Sequence, residues 1–392
     1  MNLFYIANQD LADGSAHALY LYRSAWWLAA TAKEADVHIL HAGKMDTDEL
    51  GKHFGYDSIP NLNISGLPSV RRKKKTKGLT LNAVFYFFVY FNLRKKAKPG
   101  DALIIASFPK IIRFLNFWRR WLPDMTFVYE VHQLACLDRN HAPRTVRSEW
   151  EALNLSDLFV TTTRPLQILL EKWARKIPIH LAGLACGYEE KEYRILSIPA
   201  NPEACPECVY IGSVYHEQGV RWLLESWATI CQYSGIDFSL KIIGGSRLEV
   251  EQLKNLVLKL RLSRVFILGS MTSKEIKDVL RPGQILLIPS LKEGRMPYVA
   301  ITKAYDYLAF HLPIVASDLP SISEVLRDGE EALLFQPGNA ESLGAQLNLL
   351  INDQELRKCL ASSAAQRSYE YSWEKRSRQY WKFLESSKAF KS

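Results

Sequence analysis

Residues 288–318 read IPSLKEGRMPYVAITKAYDYLAFHLPIVASD, and this stretch decides the fold. It starts at the end of one apolar run, passes through a turn and an amphipathic helix, and enters a second apolar run. Short unbroken apolar runs joined by a helix are typical of parallel strands that are buried on both faces. Four charged residues surround the carboxyl ends of the two strands, where ligands bind in open α/β sheets: Glu293, Arg295, Lys303 and Asp306.

The same alternation of strand and helix extends outward from this stretch. Strands are predicted at 3–7, 36–40, 102–106, 126–131, 158–162, 208–212, 238–245, 265–269 and 284–288. Pro199, Pro202 and Pro206 interrupt the pattern once. The sequence therefore predicts an α/β protein with two Rossmann-like, doubly wound parallel-sheet domains facing a cleft, at 1–197 and 205–370.

Length and composition agree with two globular domains. The chain has 392 residues, of which 48% are hydrophobic and 23% charged, and a single core rarely grows to that size. It contains no apolar run long enough for a spanning helix, and its first residues predict a strand rather than a signal peptide. Six irregularly spaced cysteines favour a reducing compartment, so a cytoplasmic location is expected. Cys205 and Cys208 lack the second ligand pair of a zinc ribbon.

The net charge of +9 is concentrated in one segment, 71–98, which holds ten cations and no acid. A local cluster predicts a local partner, in contrast to the evenly basic surface of many nucleic-acid-binding proteins. One interpretation is a dock for an anionic membrane surface, at the inner membrane face. The other is a solvated loop before a core helix. We predict a core helix preceded by a docking loop that includes Arg71, Arg72, Lys73, Lys74 and Lys75.

The motifs around 288–329 resemble those of retaining glycosyltransferases with the GT-B fold, family GT4. The family's "PS…EG", "K-x-x-E-Y-L-A", "P-V-V-A-S-D" and "E-V-L-x-D-G" patterns have counterparts here, the last of them at 324–329. The resemblance implies a hexosyltransferase-like enzyme with a nucleotide-sugar donor and no cofactor. It also implies that the last helix, 373–390, packs back on the N-terminal domain.

The resemblance also assigns a donor site. Asp306 takes the place of the family's ribose-binding Glu, and Lys303, three residues earlier, is the predicted phosphate partner on the same helix face. Glu293 is the predicted sugar-contacting, catalytic residue, although the family's usual position corresponds to Tyr298. The remaining predicted donor-binding residues are Gly212, Ser213, Gly245, Arg247 and Arg295.

One departure from the family pattern concerns phosphate binding. The turn at 212–219 keeps its two glycines, but Ser213 and Gln218 stand where the family has Arg and Lys. Each lost contact could cost about 1.5–3 kcal/mol, the range for hydrogen bonds to charged groups. This departure keeps a second hypothesis open, namely a non-catalytic scaffold or activating partner with the same fold.

On the acceptor side, His132 follows a buried strand, and the family often carries a His there beside the reacting sugar. It is the second predicted catalytic residue, expected to orient and polarise rather than to attack. The loop with Gly14 and Ser15 is predicted to approach the acceptor or the diphosphate. The resemblance thus implies a metal-independent, retaining transferase acting on a lipid-linked or polysaccharide acceptor, and no nucleic-acid partner is expected. A sugar-nucleotide epimerase is the third alternative.

Overall fold

The computed structural model describes residues 1–13, 15–69, 82–106, 109–137, 143–174, 176–187 and 207–388. The chain divides into two compact units. Unit 1 comprises Met1–Gly183 and Trp373–Ser392, and unit 2 comprises Leu184–Ser372. The Pro-rich break predicted from the sequence lies almost wholly outside the described residues, so the domain limits 1–197 and 205–370 stay predictions.

The sheet of unit 1 contains seven parallel strands in the order β3-β2-β1-β4-β5-β6-β7. They are β1 (Asn2–Ala7), β2 (Asp36–His41), β3 (Leu62–Gly66), β4 (Ala102–Ala106), β5 (Thr126–Val131), β6 (Leu158–Thr161) and β7 (Ile179–Leu181). The order reverses direction between β1 and β4, as in a doubly wound Rossmann-like sheet.

Helices cover both faces of this sheet. They are α1 (Ala16–Thr31), α2 (Thr47–Phe54), α3 (Asn82–Lys96), α4 (Pro109–Phe117), α5 (Pro143–Asn154), α6 (Arg164–Trp173) and α14 (Trp373–Lys388). Leu3 and Tyr5 of β1 point into the core that α1 and α14 cover, and Phe4 and Ile6 point into the opposite core. Alternate side chains of a strand face opposite sides, so an unbroken apolar strand serves two cores.

Unit 2 repeats the plan with six parallel strands in the order β10-β9-β8-β11-β12-β13. Its strands are β8 (Glu207–Ile211), β9 (Ser239–Ile243), β10 (Val265–Gly269), β11 (Ile285–Ile288), β12 (Ile314–Ser317) and β13 (Leu333–Phe335). Its helices are α7 (Val220–Ser234), α8 (Arg247–Lys259), α9 (Ser273–Val279), α10 (Thr302–Leu308), α11 (Pro320–Ser323), α12 (Ala340–Asn352) and α13 (Gln354–Ser368). The predicted fold class, two Rossmann-like parallel-sheet domains, is confirmed.

The prediction for the helix after the basic segment is wrong in one respect. We expected a core helix that is apolar on all sides because it is buried. In the structure only one side of α3 is buried, while Phe87, Phe88 and Phe91 on its other side are 43%, 40% and 59% exposed. Among the described residues no helix combines the length and apolarity that crossing a membrane requires.

Gly219 fixes the contact between the start of α7 and the end of β11. Its φ is +75°, and a Cβ at this position would lie 1.8 Å from the carbonyl oxygen of Pro289. We expect Gly219→Ala to lower the free energy of unfolding by about 3 kcal/mol, since left-handed backbone costs about 1–2 kcal/mol and overpacking adds a similar amount. Urea unfolding measures the loss.

Gly283→Ala is the matched control for this prediction. Gly283 also has positive φ, at +88°, but a Cβ there would meet nothing within 4 Å. It should therefore show the backbone strain alone, about 1–2 kcal/mol. Equal losses for the two variants would contradict the proposed clash with Pro289.

Candidate functional site

The order of strands in unit 2 places a crevice between the carboxyl ends of β8 and β11, where the chain leaves the sheet in opposite directions. Glycines bring the turns above β8 and β9 into contact. Gly212 has a φ of +144° and Gly244 a φ of +132°, and a Cβ on Gly244 would lie 1.9 Å from the carbonyl oxygen of Gly212. Only glycine fits such a position, because it has no Cβ and tolerates positive φ.

Lys303 extends from α10 to this edge of the sheet. Its side chain is 8% exposed, and its Nζ donates hydrogen bonds to Tyr210 Oη at 3.0 Å and to Gln218 Oε1. The same Nζ lies 4.6 Å from the centre of the Tyr210 ring. A Cβ on Gly212 would lie 3.0 Å from Lys303 Cε, so the glycine leaves room for the lysine.

The charge of Lys303 is not balanced by any described residue of unit 2. Among the described residues no carboxylate lies within ion-pair distance of its Nζ, and both hydrogen-bond partners are neutral. Burial therefore lowers the pKa of Lys303 to about 7. A buried cation with only neutral partners is costly, and an anionic ligand would remove that cost. This is the chemistry required of a phosphate site.

The two residues that depart from the family pattern have different roles here. Ser213 is exposed, and its backbone carbonyl accepts the hydroxyl of Tyr210. Gln218 is 6% exposed, accepts from Lys303, and donates to Tyr215 Oη at 2.6 Å. A lysine at 218 would lie against the ammonium of Lys303 without a counter-charge. The neutral Gln218 is thus compatible with a single buried cation.

Asp306 lies one turn after Lys303 but has other partners. Its Oδ1 accepts the backbone N–H of Gly187 at 2.7 Å, and the Cys186 thiol beside it donates to the carbonyl of Tyr305 at 3.2 Å. The carboxylate therefore positions the segment 186–187 within unit 2. Asp306 is half-buried, whereas Lys303 is buried.

The turn after β11 carries two of the other predicted donor residues, Glu293 and Arg295. Glu293 Oε2 lies 3.0 Å from His216 Nε2, and both side chains are more than half exposed. The guanidinium of Arg295 lies 5.8 Å from the centre of the Tyr215 ring. Glu293 and Arg295 thus stand beside the turn at 213–218. Gly245 (φ +89°) and the exposed Arg247 lie farther along, at the start of α8.

In unit 1, His132 follows β5, and its Nε2 lies 3.4 Å from Glu130 Oε2. His132 is 19% exposed and Glu130 only 1%. The ring of His17 stands 6.0 Å from that of His132, edge to face, and burial together with His132 lowers the pKa of His17 to about 4. His17 is therefore neutral at pH 7.

Glu130 forms part of a buried polar cluster with α14. The guanidinium of Arg376, 3% exposed, lies 3.9 Å from Glu130 Oε1 and donates to Ser24 Oγ at 2.9 Å and to Tyr20 Oη at 2.5 Å. Tyr20 in turn donates to Glu130 Oε2 at 3.3 Å. Burial alone would raise the pKa of Glu130, but the contacts with His132 and Arg376 hold this pKa below its usual value.

His132 was predicted from the sequence, but its partners were not. An acid within the apolar strand 126–131 was the available signal, because a charge in a strand buried on both faces needs a counter-charge. Ser15 caps α1, accepting the N–H of Ala18 at 3.2 Å. The other acceptor-side residues that were predicted lie outside the described residues: Gly14, Arg71, Arg72, Lys73, Lys74 and Lys75.

Comparison with known proteins relates this site to one family. Residues 205–353 match the family described as "Glycosyl transferases group 1". An uncharacterised glycosyltransferase of Methanocaldococcus jannaschii is 30% identical over 43% of this chain and 44% of its own length. The N,N'-diacetylbacillosaminyl-diphospho-undecaprenol alpha-1,3-N-acetylgalactosaminyltransferase of Campylobacter jejuni is 28% identical over 82% of this chain and 77% of its own.

The solved structure of Anabaena HepE in complex with UDP and glucose superposes with a TM-score of 0.69 at 15% identity, over 98% of this chain and 100% of that one. At this identity the likeness shows the fold. The Methanocaldococcus relative is matched over less than half of its length. The match to the family model lies in the C-terminal half of the chain. The chain therefore has the GT-B fold, and its residues 205–353 match the model of the glycosyl transferases group 1 family.

Proposed function

We propose that this protein is a retaining glycosyltransferase that needs no metal ion and moves a sugar from a nucleotide-sugar to a lipid-linked or polysaccharide acceptor. In the transfer, the bond between the anomeric carbon and the leaving phosphate breaks. A bond from the acceptor oxygen forms on the same face of the sugar, and the departing phosphate takes the acceptor's proton. No protein nucleophile is needed, so catalysis consists of positioning and stabilisation of charge.

One observation carries the proposal: Lys303 is buried at the edge where unit 2 would bind a ligand, and it has no carboxylate partner in the part of the chain that the structure describes. A diphosphate is an anion that suits this position. The ammonium would stabilise the negative charge that grows on the leaving group, in a site where water screens little. Gly212 and Gly244 let the turns above β8 and β9 pack together beside this cation.

The other predicted residues would act around this cation. Asp306 would accept from the ribose hydroxyls, and Glu293 would contact the sugar, with Arg295 as a second cation near the phosphates. On the acceptor side, His132 would orient the reacting groups, held by the buried carboxylate of Glu130. Each of these roles is a proposal that substitution can test separately.

Relatives support the two substrates. The Campylobacter protein is named for transfer to a sugar carried on diphospho-undecaprenol, a lipid-linked acceptor. HepE was solved with UDP and glucose, the parts of a nucleotide-sugar. These names describe those proteins, and for this chain they favour the same classes of donor and acceptor.

We expect one nucleotide among UDP, GDP, ADP and CMP to stabilise the full chain in thermal unfolding. A ligand at a hundred times its Kd adds about 2.7 kcal/mol to the free energy of unfolding. Turnover of the matching nucleotide-sugar should persist in EDTA, and NMR of the product should show the anomeric configuration of the donor. Inversion of that configuration would contradict the retaining mechanism.

Ser213 and Gln218 stand where the family has Arg and Lys. This loss of two cations favours a second candidate, a non-catalytic partner with the same fold. Such a protein would keep the two units but bind no nucleotide tightly. The thermal experiment separates the candidates, because a scaffold should show no shift with any of the four nucleotides or their sugars.

A further inference from the structure

The exposed side of α3 carries an apolar stripe that the core does not use. Val84, Phe87, Phe88 and Phe91 are 38%, 43%, 40% and 59% exposed, and they recur at the spacing of one helix face. The buried side of the same helix supplies a separate set of apolar residues to the core. The buried side of α3 already packs in the core, so the exposed apolar stripe needs another explanation.

The stripe continues onto the last residue of α4 and the turn that follows it. Phe117 is 73% exposed and Trp121 38% exposed. Trp118 links them to α3, with ring centres 5.3 Å from Phe117, 5.0 Å from Trp121 and 6.3 Å from Phe87. We call this surface the aromatic face: Val84, Phe87, Phe88, Phe91, Phe117 and Trp121. Contiguous exposed apolar surface of this kind marks an interaction site.

The two segments that form the aromatic face carry charge of one sign, although Glu151 and Asp157 from elsewhere in unit 1 pair with Arg113 and Arg119. Residues 82–98 and 109–121 contain eight Lys and Arg and no Asp or Glu. Lys95 extends the stripe by one turn from Phe91, and Arg120 lies 3.7 Å over the ring of Trp121. Among the described residues, neither Lys95 nor Arg120 has a carboxylate partner. The partner of this surface should therefore be both apolar and anionic.

A groove beside the aromatic face has the same chemistry. It has a volume of about 390 Å³ and is lined by Ala83, Tyr86, Lys110, Arg113 and Phe114. Arg113 is paired with Glu151 at 2.9 Å, whereas Lys110 is exposed and has no carboxylate partner among the described residues. A cation at an apolar groove suits a phosphate headgroup with its acyl chains alongside.

We propose that the aromatic face docks this protein on the surface of an anionic lipid bilayer. Aromatic rings lie at the boundary of headgroups and acyl chains, and Lys and Arg stay at the headgroups and attract anionic lipid. A second copy of the chain fits less well, because a two-fold interface would place the cations of one copy against those of the other. The inference deepens the proposed function, and rests on it, by naming the surface that would bring the enzyme to a lipid-linked acceptor.

Vesicle sedimentation of the full chain tests the proposal. We expect the protein to sediment with vesicles of equal parts phosphatidylcholine and phosphatidylglycerol and to stay in solution with phosphatidylcholine alone. The double variant Phe87→Ser/Phe91→Ser should bind the mixed vesicles at least about tenfold more weakly, because its apolar anchors are gone. Lys95→Glu/Arg120→Glu should lose binding as well, and added salt should weaken the wild type.

Leu248→Ser/Leu258→Ser is the matched control, because both leucines are exposed, at 71% and 74%, and lie on α8 of unit 2. This control should sediment like the wild type. Equal loss in the control, or no sedimentation of the wild type, would overturn the proposal, and an acidic protein would then be the better partner. The nucleotide-induced thermal shift should be the same in all variants, so failure at the vesicle leaves the proposed donor site standing.

Discussion

Lys303→Met should weaken nucleotide binding by about 1.5–3 kcal/mol, or roughly 10- to 150-fold in Kd, the range for hydrogen bonds to charged groups. Methionine keeps the length and apolar stem of the lysine but supplies no positive charge. The expected loss is large because the ammonium is buried, so little water screens its interaction with a phosphate. Isothermal titration with the nucleotide that shifts the wild type measures it.

The same substitution should stabilise the ligand-free protein below pH 7. Lysine has a pKa of 10.5 in the unfolded chain and about 7 when Lys303 is buried, so between these values the unfolded state binds more protons. The free energy of unfolding of the wild type therefore increases as the pH rises from about 7 to 10.5. Below pH 7 the wild type carries the full cost of the buried charge. The methionine variant has no such dependence, so the difference between the proteins should shrink towards pH 10.5.

Lys254→Met is the control, since Lys254 is exposed on α8 of the same unit. It should change neither the Kd nor the pH dependence of unfolding. A Lys303→Met protein that is more stable but binds nucleotide with unchanged Kd would show that this cation does not contact the phosphates.

Arg376→Met should lower the free energy of unfolding by about 3–5 kcal/mol, because it leaves a buried carboxylate without its cation. Glu130 and Arg376 are 1% and 3% exposed, so water cannot replace the lost partner. Tyr20 and Ser24 would also lose the donor that now satisfies them. Urea unfolding followed by tryptophan fluorescence measures the change.

The double variant Glu130→Leu/Arg376→Met tests whether the unpaired carboxylate of Glu130 causes the loss of stability. Removing both charges should recover much of the loss, since a buried ion pair can often be replaced by apolar residues at little cost. Arg378→Met, on the exposed side of the same helix, should change stability by less than about 0.5 kcal/mol. Equal effects of the substitutions at 376 and 378 would contradict the importance of the buried pair.

Local pattern predicted much of the fold. The strands at 102–106 and 126–131 have the predicted limits, and the one predicted at 284–288 starts one residue later, at Ile285. Strands buried on both faces carry their signal within a few adjacent residues, so no knowledge of distant neighbours is needed. The short β3, β7 and β13 were missed, because three to five residues carry too little periodicity.

Features that depend on distant residues could not be predicted. The burial of Lys303 results from Tyr210 and Gln218, which lie 93 and 85 positions earlier in the chain. The i to i+3 spacing predicted that Lys303 and Asp306 act together on one helix face. In the structure, Asp306 instead accepts a hydrogen bond from the backbone of Gly187. The predicted roles of these residues in donor binding stay predictions.

The exposed side of α3 illustrates the same limit. A helix with apolar residues on all sides predicts burial on all sides, and nothing in the sequence shows that the sheet covers only one of them. The structure separates the two sides, and it places Phe91 on the exposed one, four positions before Lys95.

The path of the chain through unit 1 has a consequence for synthesis on the ribosome. Unit 2 is one continuous segment, Leu184–Ser372, but unit 1 is completed only by α14, which packs on α1. Unit 1 therefore emerges first but is completed only after unit 2 has been synthesised. Until then Glu130 lacks the cation that Arg376 supplies. Domains generally fold as units and in order of synthesis. Here we expect the reverse order, because unit 2 can finish folding while nascent unit 1 still exposes the surface that α14 will cover.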